Sequence, residues 1–410
     1  MTQLHLVLLT LAQGAPEASA PPAAPRFVDA TETHLPARGK VPCNSMDVES
    51  ADLDGDGDLD LVVAQEFLAN KVLRNEGGAR YVVWEGLLPP LDPDLAKSGP
   101  PGHDSEDVSI ADFDGDGRLD IVFVSEDDLK LGRHGVHEFY RGQEGGTFAR
   151  IADLLPDTEA DAIAHADWNR DGRLDVLLSG AGQDLLLTND GRGGFIDETE
   201  LRLPREAATA QDAEFVDLDG DKDLDIVLAL EGGHALWIQD ARGVFQDETK
   251  ARLPVAGFVE ARKVAAVDVD RDGDVDLYFA HVGWQGRDPQ DRLYVNDGKG
   301  RFTDETMQRI GAESNTTADA RFADLDGDGD LDLVRVNLGP LEILVNDGKG
   351  RFTDVSARAL PAAIAGPGLG VEIADFDRDG VLDLYVAFLA GPRNDPNAFD
   401  RLLLGVKPGG

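Results

Sequence analysis

Residues 52–60 read DLDGDGDLD, and five aspartates fall within nine positions: Asp52, Asp54, Asp56, Asp58 and Asp60. Carboxylates this close repel one another, so the loop orders only if something neutralises them. The pattern returns six times. At positions 1, 3, 5, 7 and 9 the second and third copies carry Asp112, Asp114, Asp116, Arg118, Asp120 and then Asp167, Asn169, Asp171, Arg173, Asp175. The fourth and fifth carry Asp217, Asp219, Asp221, Asp223, Asp225 and Asp268, Asp270, Asp272, Asp274, Asp276. The sixth and seventh carry Asp324, Asp326, Asp328, Asp330, Asp332 and Asp375, Asp377, Asp379, Val381, Asp383. Positions 1, 3, 5 and 9 hold 27 aspartates and one asparagine across the seven copies, so the spacing is not that of a merely solvated acidic surface.

Such a set suits a hard dication bound by oxygen, and calcium above all. Side chains at positions 1, 3 and 5 encircle one centre, position 7 offers its backbone carbonyl, and the carboxylate at position 9 closes the cage. Up to seven Ca2+ ions are expected. Position 6 requires a sharp turn that glycine enters freely. Lys222 stands there in the fourth loop, and Asn169 removes a charge from the third, so these two sites are expected to be the weakest. An EF-hand would place Glu at position 12 between helices, but that position is Val63, Phe123 or Leu178 inside apolar runs. Magnesium keeps several waters and seldom takes a full carboxylate cage.

The elements around each loop repeat too. Successive loops start 60, 55, 50, 51, 56 and 51 residues apart. A short apolar segment precedes each loop, and a β-type run such as LDLVVA or VDLYFA follows. A second run then ends in a tight turn, as in LYVNDGKG and ILVNDGKG. A last short segment opens with an aromatic: Phe27, Tyr81, Phe148, Phe195, Phe245, Phe302 or Phe352. Four strands per unit without a helical period predict an all-β, seven-bladed β-propeller. The C-terminal RLLLGVKPGG (401–410) matches a third strand and the N-terminal RFVDATETHLP (26–36) a fourth. Together they complete one blade, which closes the ring.

On these loops and runs, residues 26–406 resemble the FG-GAP/VCBS repeats of integrin α-subunit propellers and cartilage acidic protein-like proteins. The resemblance implies one calcium between the first and second strands of each blade, on one face of the ring. It implies ligand contacts on the opposite face.

Acidic residues number 79 against 38 basic ones, a net charge of −41, which argues against nucleic acid and anionic membranes as partners. The single Cys43 permits no intrachain disulfide. The apolar run Leu4–Ala12, followed by small residues, resembles a secretory signal peptide over residues 1–20. A linker at 21–25, the propeller at 26–406 and a tail at 407–410 complete the expected organisation. No later run of 18 apolar residues predicts a transmembrane anchor. A secreted or cell-surface, monomeric protein is expected.

The longest connections, 85–107, 126–139, 281–291 and 389–400, vary between units as partner-binding loops do. They carry His103, His134, His137, His281, Trp284 and Arg287. The expected function is recognition of a protein or glycan on this face, with calcium structural and the histidines ordinary surface residues. One alternative is a polysaccharide lyase or hydrolase, for which His103, His134, Tyr140 and Arg133 would supply a base beside an arginine. No nucleophile elbow, phosphate loop or His-rich metal signature supports it, so no catalytic residues and no enzyme activity are expected. A scaffold without a specific ligand is the second alternative.

Overall fold

The computed structural model describes residues 24–37, 43–91, 100, 102–126, 130, 132–134, 136–205, 208–362, 364–389 and 399–407. The expected signal peptide, most of the linker and residues 408–410 of the tail lie outside them.

Seven four-stranded antiparallel sheets make the blades of a propeller. The first blade runs Ser45–Ala51, Asp60–Gln65, Lys71–Asn75 and Tyr81–Val83, from the axis outward. Its second strand is buried at every residue. The same holds in the other six blades, which is why these strands are continuous apolar runs rather than alternating ones. Neighbouring sheets pack face to face. Between the first and second blades, Leu53, Val62 and Val72 meet Ile121, Phe123 and Tyr140. Each such side chain contributes roughly 1.5–3 kcal/mol on burial.

The seventh blade is split as expected. Gly368–Ala374, Asp383–Phe388 and Arg401–Gly405 receive Phe27–Asp29 as the outer strand, with Phe27 opposite Gly405 and Asp29 opposite Leu403. Leu402, Tyr385 and Phe376 of that blade pack on Val48, Leu61 and Leu73 of the first.

Among the described residues, short helical turns depart from the all-strand expectation. A single helical turn follows the fourth strand in five blades: Thr31–His34, Thr199–Arg202, Thr249–Arg252, Thr306–Arg309 and Ser356–Ala359. The Asp-x-Thr/Ser motif makes it. Asp304 Oδ1 accepts the Thr306 N–H at 3.0 Å, and Thr306 Oγ1 accepts the Leu293 N–H of the third strand at 3.0 Å.

Up-and-down order puts the aspartate loops and the third-to-fourth turns on one rim. The second-to-third loops and the blade-to-blade connections lie on the opposite face. Every innermost strand begins with a β-bulge on that opposite side.

Candidate metal centres and the opposite face

The aspartate loops answer their own repulsion in part with backbone N–H groups. In all seven, the carboxylate at position 1 accepts the N–H of position 6, as Asp52 does from Gly57 at 2.9 Å and Asp217 from Lys222 at 3.0 Å. The carboxylate at position 5 accepts the N–H of position 7 in all seven, from Asp58, Arg118, Arg173, Asp223, Asp274, Asp330 and Val381. The turn at position 6 is left-handed throughout, with φ 77° at Lys222. Position 4 is left-handed as well, which the sequence reading did not anticipate. Glycine fills it in four loops, and Arg170, Arg271 and Arg378 stand there at φ 60°, 62° and 62°.

Remaining carboxylate oxygens converge. Those of Asp52, Asp54 and Asp56, and of Asp268, Asp270 and Asp272, lie within 4.8 Å of one another. Positions 1, 3 and 9 converge likewise in Asp112, Asp114, Asp120 and in Asp217, Asp219, Asp225. Buried oxygens without any hydrogen-bond partner remain on Asp175, Asp219, Asp268 and Asp270. An all-oxygen donor set, anionic at all but Asn169, with orphaned buried atoms fits a hard dication.

Position 9 does more than close a cage. Its Oδ1 accepts an N–H from the third strand in all seven loops, for example from Asn75 to Asp60 at 2.9 Å. In six loops its Oδ2 also accepts the position-2 N–H. Burial, only partly offset by these bonds, pushes its pKa up to about 6 at Asp60 and Asp120, and to about 7 at Asp175, Asp225, Asp276, Asp332 and Asp383.

Two further kinds of tie join loops to neighbouring blades. The Asn of the Asn-Asp-Gly turn sends its side chain back to the position-2 carbonyl of the preceding loop: Asn296 to Leu218 at 2.9 Å and Asn346 to Val269 at 2.8 Å. Where position 4 is arginine, it pairs with the position-7 aspartate of the following blade. Arg170 meets Asp223 at 3.0 Å, Arg271 meets Asp330 at 2.7 Å, and Arg378 meets Asp58 at 3.1 Å across the ring closure. Arginines also reach position 3, with Arg141 on Asp114, Arg252 on Asp219 and Arg309 on Asp270.

A family model of the FG-GAP-like repeat matches this chain six times, over residues 52–123, 112–178, 167–228, 217–279, 280–335 and 324–386. The chain belongs to the FG-GAP-like repeat family. A search of curated proteins finds no match. Among solved structures, BBS1N in complex with ARL6DN is similar at 11% identity and TM-score 0.57, covering 93% of this chain and 98% of that one. The extracellular domain of BT4673 from B. thetaiotaomicron is similar at 12% identity and TM-score 0.53, covering 92% of this chain and 39% of that one. At such identities the likeness is one of fold.

On the other face of this FG-GAP-like ring, the expected surface residues divide. Parts of the long loops, at 92–99, 101, 127–129, 131, 135 and 390–398, lie outside the described residues. His103, His137 and His281 are buried rather than at the surface, because they pack between loops and blades. His281 Nδ1 donates to the Gln290 carbonyl at 2.7 Å, so its Nε2 accepts from His234 Nε2 at 2.8 Å. Burial pushes His281 down to about 4, and the pair is neutral. His234 was missed in the sequence because only packing between blades brings it there. His134 is exposed beside Asp157. Arg133 is buried and holds the Pro100 and Gly102 carbonyls at 2.7 Å each, while the Tyr140 hydroxyl donates to Glu138 inside the core. The four residues proposed for a lyase-type site thus differ in environment: His103, Arg133 and Tyr140 are buried, and His134 alone faces solvent.

Trp284 and Phe258 are exposed on this face at 44% and 63%. Arg262 lies 5.5 Å over the Trp284 ring, and Arg287, paired with Glu260, lies 5.5 Å over Phe258.

Proposed function

We propose that this chain is an exported, calcium-binding recognition module that acts by binding rather than catalysis, with a protein or glycan as its ligand. The observation that carries the reading is the division of the ring into two unlike faces. One rim repeats the same aspartate loop in every blade. The other presents irregular connections with Trp284 and Phe258 exposed and each braced by an arginine. Exposed aromatics of this kind supply large contact area at low entropic cost, as recognition surfaces require.

In this reading calcium is structural. Each loop binds its carboxylates to its own backbone and to the third strand, with no base or nucleophile beside them. Extracellular modules of this kind bind calcium at about 10⁻⁴–10⁻³ M, which fits the export suggested by the N-terminal apolar run. Among the described residues no helix is long and apolar enough to cross a membrane.

The test is a combined glycan and protein array, probed with the wild type and with W284A/F258A, in calcium and in chelator. The reading expects specific binding that the double variant loses while its melting temperature stays put. Binding that survives the double variant, or no binding in calcium to any member of the array, would sink it.

A further inference from the structure

The bulged residues that open the innermost strands line the mouth of the axial channel, on the face away from the aspartate loops. Glu106, Asp161, Gln211 and Arg262 form one arc of it. Beside this arc the carboxylates of Asp104, Glu106 and Glu126 lie within 4.8 Å of one another. None of the three belongs to a repeat loop.

A second observation points to a ligand there. Asp161 is only 8% exposed. Its Oδ1 accepts a hydrogen bond from Gln211 Nε2 at 3.2 Å, but its Oδ2 is buried with no hydrogen-bond partner. A buried carboxylate oxygen left bare is costly, and the cost grows beside like charges. Asp161 lines the same cleft as Glu106. Burial and then the Glu126 carboxylate push its pKa up to about 8, against the opposing pull of Arg262. Glu106 is pushed well above its usual range by burial, with Asp104, Asp161 and Glu126 adding to the effect. Arg262 offsets this charge only in part, because its guanidinium is shared with Gln211 Oε1 and the Trp284 ring.

We propose that the channel mouth binds one divalent cation between Asp104, Glu106, Glu126 and Asp161, a site distinct from the seven aspartate loops. The donors are all carboxylate oxygens, which selects a hard ion such as Ca2+ or Mn2+ over a softer one. The ion supplies the partner that Asp161 Oδ2 lacks. It also sits within the face that carries Trp284, through Arg262, so its occupancy is coupled to the shape of that face.

Manganese serves as the probe. Crystals of the full chain soaked in Mn2+ are expected to show an anomalous peak between Glu106 and Asp161, in addition to peaks in the loops. E106Q/D161N keeps the loop peaks and loses this one, and in solution it binds one Mn2+ fewer than the wild type by electron paramagnetic resonance. Should the double variant fold poorly, D161N alone gives the same comparison. Loop peaks with none at the mouth of the wild type would overturn the proposal, and so would an unchanged Mn2+ count in the variants. A peak at the mouth with empty loops would uphold this site while overturning the calcium assignment of the loops.

Discussion

Removing metal from the loops should reverse how stability depends on pH. Asp60 is 1% exposed, and in the metal-free fold burial raises its pKa to about 6. In the unfolded chain an aspartate titrates near ~3.9. A carboxylate with a raised folded pKa favours the fold while protonated. That advantage is full below the unfolded pKa and is lost as pH rises through the folded one. The roughly two-unit difference at Asp60 corresponds to about 3 kcal/mol between pH ~4 and pH ~7. Asp175, Asp225, Asp276, Asp332 and Asp383 are raised further, to about 7, and act in the same direction. A bound dication removes the penalty, because the ionised form is the one it holds and protons compete with it. Metal-stripped protein should therefore lose stability from about pH 4 to about pH 7, whereas calcium-loaded protein should hold or gain it. Urea unfolding followed by tryptophan fluorescence, with and without calcium at several pH values, measures both slopes. Parallel pH curves in the two conditions would show that the position-9 carboxylates do not set this pH dependence.

Further outcomes follow from single residues. Lys222 at φ 77° costs about 1 kcal/mol relative to glycine and adds a positive charge to the fourth loop. Lys222→Gly should tighten the weakest class of calcium sites, read by calorimetry, with a gain in stability below ~1 kcal/mol because glycine loses more entropy on folding. Lys71 and Asp400 are a buried ion pair at 2.7 Å between the first and seventh blades, and Asp400 also accepts from Ser45, Tyr385 and the Phe388 N–H. Lys71→Met leaves that carboxylate uncompensated and should cost about 3–5 kcal/mol in chemical denaturation, which an unchanged midpoint would contradict. Deleting residues 26–36 removes the outer strand Phe27–Asp29 and bares the edge of Arg401–Gly405. Light scattering should then show association, and a monomeric truncation with unchanged melting would count against the shared blade's role in closure.

The repeat loops, the four-strand unit and the shared blade were legible in the sequence because each is local. Aspartate spacing, the apolar run after it and the unmatched ends of the chain are read along one stretch at a time. What packing decides was not. Arg378 looks like a surface residue until the ring closes and places it on Asp58, some 320 positions away in the chain. The Asn296 side chain reads as turn chemistry, yet it donates to the carbonyl of Leu218 in the preceding blade. The acids of the innermost strands, such as Asp107 and Asp212, belong to no motif in the sequence. In the fold they accept the N–H groups of Ile163 and Val264 on the next inner strands, each at 2.9 Å. His281 reads as the start of a long surface connection, but it ends the strand Asp276–His281 and is wholly buried against His234. The Asp-x-Thr turns were visible as a repeated string, and their helical geometry became readable only once the third strand stood beside them.

Whether the aspartate loops hold calcium is decided by counting the bound ions. Protein stripped of metal is dialysed against calcium at about 10 mM, roughly ten times the weakest dissociation constant expected. It is then analysed for bound calcium per chain, beside a variant in which the position-1 aspartates Asp52, Asp112 and Asp324 are asparagine. Several ions per chain are expected, up to one for each of the seven loops besides the one proposed at the channel mouth, with a loss of about three in the variant. A chain that binds no calcium at that concentration, or a variant that binds as much as the wild type, would contradict it.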